Sequence, residues 1–105
     1  LVVDAAYAEF ADADDVASLL AGNDNLVILR TLSKAHALAG ARIGSVIAAP
    51  ELIGMLKRCQ APYPLAQPAV QAALAALLAR AIATPTPRVS ALNFIFFIVN
   101  IDLVT

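Results

Sequence analysis

Charge is scarce in this sequence. Asp, Glu, Lys and Arg make up 14% of its 105 residues, where an ordinary soluble domain carries about 25%. Seven basic and eight acidic residues nearly cancel, which leaves neither the basic surface that nucleic acid requires nor a polybasic membrane patch. Cysteine is scarcer still. Cys59 stands alone, so no internal disulfide can form, as suits a reducing, cytoplasmic setting. A long apolar run is also missing: "ALNFIFFIV" falls well short of the roughly 20 residues of a membrane helix. The opening "LVVDAAYAEF" has no basic start and carries an acid early, so it does not read as a signal peptide. No internal repeat is found and no metal site is expected. The length allows one domain.

What the chain has in excess is apolar residues, at 61%. A composition of this kind reads as the interior of something larger. "LVV" is a short β-branched run ending at Asp4, consistent with a buried strand. "ADADDVASLLAG" predicts a short helix ending near Gly22, with Asp12, Asp14 and Asp15 at its positive end. "LVILR" has no polar alternation and predicts a strand buried on both faces. A third strand is predicted over Arg42–Ala49. Pro50 then opens a helix with Glu51 in its first turn, Lys57 and Arg58 in its last, and Leu52, Ile53 and Leu56 as its apolar stripe. After the turn-rich "APYPLAQP", the segment "AVQAALAALLARAIA" predicts a helix apolar on nearly every side, of the sort that is buried or lies in an interface. Strands alternating with helices give an α/β layer architecture. From Thr84 the character changes. The tail is either one more strand or a segment that lacks its partner.

The chemistry gathers around the stretch "RTLSKAHALAGARIG", which holds one of only two lysines. In an open α/β sheet, ligands bind beyond the carboxyl ends of the strands. Asp4 ends the first strand, and Ser33 and Lys34 lie just past the second. If these strands are parallel neighbours, a carboxylate, an amine and the Tyr7 phenol share one crevice. Arg42 follows Lys34 across a loop containing Gly40, which can return the guanidinium beside Ser33. This set suits pyridoxal 5'-phosphate. Its aldehyde needs a lysine amine, its pyridine nitrogen a carboxylate partner, and its phosphate hydroxyls and a guanidinium, here Thr31, Ser33 and Arg42. Simpler readings stand beside these: Lys34 as a solvated loop charge, Asp4 as a turn cap, Arg42 as a strand-edge charge, and Ser33 as a turn closer. His36 is read as packing beside the loop, Cys59 as a small buried hydrophobe, and Tyr63 as a packing residue in a rigid turn.

The stretch "TLSKAHALAGARIG" resembles the lysine motif of the fold-type-I, class II pyridoxal-phosphate aminotransferases, and "VVDAAYAEF" resembles that family's strand-Asp-x-x-Tyr motif. With "APYPL", the pattern looks most like the bacterial histidinol-phosphate branch of the family. The resemblance covers roughly residues 1 to 80. It implies that residues 1–83 form part of the large cofactor-binding domain, a mostly parallel sheet with one antiparallel strand, "RIGSVIAA", and flanking helices. Residues 84–105 are then a divergent apolar tail. Lys34 is implied as the Schiff-base lysine and proton carrier, Asp4 as the partner of the ring nitrogen, and Tyr7 as that of the ring oxygen. Ser33 and Arg42, helped by Thr31, would hold the phosphate.

The implied reaction is transamination between histidinol phosphate and 2-oxoglutarate, with glutamate as the amino donor in histidine biosynthesis, by a cytoplasmic homodimer. No nucleic acid or membrane partner is implied. The alternatives are a non-catalytic remnant that at most binds the cofactor, and another class II enzyme such as an aromatic-amino-acid aminotransferase. Two departures stand out. Ala5 occupies a place where the family usually carries Glu. Family members are also several times longer, so the chain reads as a central fragment without the expected substrate-carboxylate arginine.

Overall fold

A computed structural model describes residues 1–83, so the expectations for the tail from Thr84 lie outside the described residues. Three strands form one sheet in chain order: Val2–Asp4 (β1), Val27–Thr31 (β2) and Gly44–Ala48 (β3). β1 and β2 are parallel, with Asp4 opposite Leu29. β2 and β3 are antiparallel, with Thr31 opposite Gly44. The sheet is thus mixed, and "RIGSVIAA" supplies its antiparallel strand as the resemblance implied. β2 is the central strand because its apolar run can be covered on both sides. Ile28, at its middle, is fully buried.

Side chains alternate across a strand, so Ile28 and Arg30 leave one face of β2 while Leu29 and Thr31 leave the other. Parallel neighbours need a crossover connection, and residues 5–26 provide it on the Ile28 face. There Ala5, Leu26 and Ile28 are buried, with Val3, Val16, Ala17, Leu20 and Ile47 packed around them. The opposite face is covered by Pro50–Cys59 (α1). Ile53 of that helix packs with Val46, and Val27, Leu29 and Ala48 close around the pair. α1 begins on Pro50, whose ring presets the helical φ and whose missing N–H is not needed there. Glu51 and the Lys57–Arg58 pair match the helix dipole at the two ends.

Several expectations are corrected. "ADADDVASLLAG" does not form an α-helix. It gives a five-residue 3₁₀ turn, Val16–Leu20, capped by the Asp15 side chain, which accepts a hydrogen bond from the Ala17 N–H at 3.0 Å. Asp12 and Asp14 fall before that cap, and Gly22, at φ +87°, ends the segment in a conformation that favours glycine. The third strand is shorter than Arg42–Ala49, because Arg42 is left-handed at φ +53° and cannot extend it.

The last helix, Gln67–Ala83 (α2), begins two residues ahead of its apolar run. It was expected to be buried or to lie in an interface. Among the described residues only Ala73 of this helix is buried, while Leu74, Leu78 and Ile82 stay exposed in a row four residues apart. With both sheet faces already taken, α2 packs beside the 3₁₀ turn Ala39–Ala41 at the sheet's end. Cys59 is exposed. Six residues beyond Ile53, it sits about 120° away from the buried side of α1. Tyr63 is 95% exposed and adopts φ +56°, so it packs against nothing.

Candidate active site

The parallel pairing of β1 and β2 brings their carboxyl ends to one edge of the sheet, where the predicted residues lie. Asp4 is the last residue of β1. Its Oδ1 accepts the Ala6 N–H at 3.0 Å, so the carboxylate does cap the turn after the strand, with its other oxygen left over. That turn leads to Tyr7, which starts the 3₁₀ turn Ala8–Phe10. The Lys34 Nζ lies 5.4 Å from the centre of the Tyr7 ring, within reach of a cation–π attraction. Asp4, Tyr7 and Lys34 therefore share the edge, with the amine over the face of the Tyr7 ring.

The loop from β2 to β3 is closed by its backbone. Leu32 N–H donates to the Ile43 carbonyl at 3.1 Å, Leu38 N–H to Leu32 at 3.1 Å, and Ala37 N–H to Lys34 at 3.1 Å. Thr31 strengthens this closure. Its hydroxyl donates to the Ile43 carbonyl at 3.4 Å and accepts the Ser33 N–H at 3.1 Å. The Thr31 proton is thus used inside the loop, which leaves the half-buried Ser33 hydroxyl as the freer donor. Arg42 joins the loop to β3 through its left-handed backbone. Such backbone costs a bulky residue about 1–3 kcal/mol and clusters at functional sites. His36 is half-buried beside this loop, and both its ring nitrogens are enclosed without a hydrogen-bond partner among the described residues.

The three cations near this edge differ in their partners. Arg30 is consumed: its guanidinium donates to Glu9 Oε1 at 3.2 Å and to Asp15 Oδ1. Lys34 and Arg42 form no ion pair among the described residues. The Lys34 amine over the Tyr7 ring, the Asp4 carboxylate at the end of the neighbouring strand, and Ser33 and Arg42 on the loop that follows β2 are residue types that suit pyridoxal 5'-phosphate, an aldehyde with a phosphate arm and a basic ring nitrogen. No group of three or more potential metal ligands occurs among the described residues.

Sequence reasoning missed the Arg30–Glu9–Asp15 cluster, whose members are up to 21 residues apart. Burial acts to raise the Asp15 carboxyl, but the Ala17 N–H and the Arg30 guanidinium outweigh it and hold the group below the ordinary carboxylate range. A depressed folded-state value adds stability above the unfolded-state value, and that stability is lost as pH falls through the folded-state value. Asp15→Asn is therefore expected to flatten the acid limb of the stability curve below the ordinary carboxylate range. Urea midpoints taken at stepped pH check this.

A strand-ending aspartate, a tyrosine three residues on and a lysine just past the next parallel strand lie together at the carboxyl ends of β1 and β2. The profile of the family "Aminotransferase class I and II" matches residues 1–91, and the chain belongs to this family. More particularly, it is similar to proteins named histidinol-phosphate aminotransferase. The relative from Stenotrophomonas maltophilia (strain R551-3) is 57% identical over 90 residues, 86% of this chain and 25% of the relative. Those from Xanthomonas campestris pv. campestris (strain B100) and Xylella fastidiosa (strain 9a5c) are 58% and 56% identical over the same shares. The chain spans about a quarter of the length of these curated relatives. No helix of the described residues is long and apolar enough to cross a membrane.

Proposed function

We propose that this chain carries the cofactor-lysine edge of a pyridoxal-phosphate-dependent aminotransferase acting on histidinol phosphate, with 2-oxoglutarate and glutamate as the other amino pair. The observation that carries the reading is the unpaired Lys34 amine held against the Tyr7 ring beyond the carboxyl ends of two parallel strands. The substrate follows from the names of relatives at 56–58% identity. The same reading places the enzyme in the cytoplasm as a homodimer.

In this assignment the Lys34 amine would hold the cofactor's aldehyde carbon and serve as the base for the proton at the substrate Cα. Asp4 would pair with the ring nitrogen, and the Tyr7 hydroxyl would donate a hydrogen bond to the ring oxygen. Ser33 and Arg42 would hold the phosphate, while Thr31 would act mainly by fixing the loop on which Ser33 sits. The bound cofactor supplies an electron sink for the bonds of the substrate Cα. Arg42 suits the phosphate because its planar fork can donate two parallel hydrogen bonds, which an ammonium cannot match.

The test is reaction of the purified chain with pyridoxal 5'-phosphate, borohydride reduction and peptide mass mapping. Preferential modification of Lys34 over Lys57 is expected. Asp4→Ala should reduce that preference, because the ring then loses its charged partner. Equal and slow modification of both lysines would overturn the assignment.

A further inference from the structure

Tyr7 is poorly held by packing. It is 63% exposed, and its ring neighbour Phe10, at 6.4 Å between centres, is itself 64% exposed. Its contact with Lys34 must therefore be fixed by the backbone that carries each residue. Beyond the β1–β2 pairing and the Ala5 N–H bond to the Leu29 carbonyl, those two segments are joined by a part-buried ion pair. Glu9 lies two residues after Tyr7, inside the turn that Tyr7 starts. Arg30 lies four residues before Lys34, on the strand that delivers it. Their side chains are 12% and 17% exposed and meet at 3.2 Å.

We propose that Glu9 and Arg30 form a positioning pair that holds Tyr7 against the Lys34 amine. The inference rests on reading Lys34 as the reactive amine. The second arm of the Arg30 fork reaches Asp15, so one guanidinium ties both 3₁₀ turns of the crossover to β2. Stability alone accounts poorly for the arrangement. Ion pairs withdrawn from water roughly break even against apolar replacements, and this part-buried one leaves Arg30 Nε and Glu9 Oε2 enclosed with no hydrogen-bond partner among the described residues. What the pair does supply is a fixed distance between two segments. A part-buried pair of this kind restricts where the crossover can rest more than any contact of the exposed Tyr7 ring does.

The test uses the two lysines as their own reporters. Their amines are dimethylated with ¹³C-formaldehyde and a borohydride reductant, and the methyl resonances are followed by NMR. A methyl group near the face of the Tyr7 ring is displaced upfield. Tyr7→Leu assigns that displacement to Lys34 by removing it. Glu9→Gln and Arg30→Gln are each expected to shift the Lys34 resonance to its Tyr7→Leu position and leave Lys57 in place. The charge exchange, Glu9→Arg with Arg30→Glu, is expected to restore the displacement. A folded Glu9→Gln chain with the parent's Lys34 resonance would overturn the proposal. If the single variants unfold, a folded exchange variant with Lys34 at the Tyr7→Leu position overturns it equally. Because no cofactor is present, a chain that fails to take up pyridoxal phosphate yet passes this test removes the functional reading and leaves the pair standing.

Discussion

Replacing Lys34 by alanine is expected to slow total capture of pyridoxal phosphate, trapped by borohydride, by about tenfold or more, equivalent to about 1.4 kcal/mol. The chain has two lysines, so the remaining signal reports Lys57 and the terminal amine alone. Lys57 sits in the last turn of α1 and is exposed. An aldehyde that meets Lys57 finds an amine and nothing else. At Lys34 it meets an amine beside a phenol, with Ser33, Arg42 and Asp4 on the same sheet edge. Held geometry of that kind converts an encounter into a near-intramolecular step. Lys57→Ala is the matched control and should leave the rate close to that of the parent. Intact-mass kinetics read both. Equal rates for the two variants would show that the edge offers no more than a surface lysine does.

The second large effect is on stability. Ile28→Ala is expected to cost about 2–5 kcal/mol, the range for deleting a buried aliphatic side chain and leaving a cavity. Ile28 is the one large side chain with no exposure at all among the described residues. It lies on the central strand, between Val3 on β1 and Ile47 on β3, with the crossover packed over it. No neighbour can relax inward without breaking a strand pairing. Because small domains have a total stability of about 5–15 kcal/mol, this loss should move the urea midpoint by a large fraction of its value. Leu78→Ala on the exposed row of α2 removes a similar volume and should change the midpoint little. Equal losses at the two positions would contradict the placement of the core.

The strands were legible because uninterrupted apolar runs such as "LVILR" have few other uses, and α1 because Pro50, Glu51 and the Lys57–Arg58 pair mark its ends. The placing of the candidate residues was legible for a different reason. Asp4, Tyr7, Ser33, Lys34 and Arg42 lie within two short motifs, and strand order alone brings those motifs together. What the sequence concealed depended on distance or on competition. Arg30 and Glu9 are 21 residues apart, and no local pattern marks them as partners. The acidic stretch before Val16 looked like a helix start, yet Asp15 alone caps, and the turn ends within five residues. Cys59 and Tyr63 were assigned by residue type, whereas their exposure is set by helix phase and by a left-handed turn. Of the two readings of α2, burial within the chain is not met, because a three-stranded sheet offers two faces, and the crossover and α1 had taken both.

The left-handed backbone at Arg42 bears on how this protein can be engineered. A library screened only for heat resistance should favour glycine at position 42, since φ +53° burdens any side chain with a Cβ and glycine relieves about 1–2 kcal/mol of it. Every such winner would lack the guanidinium assigned to the phosphate. Thermal ranking and cofactor retention should therefore run in opposite directions at this one position, and a consensus of stabilised variants would erase the group proposed to hold the phosphate.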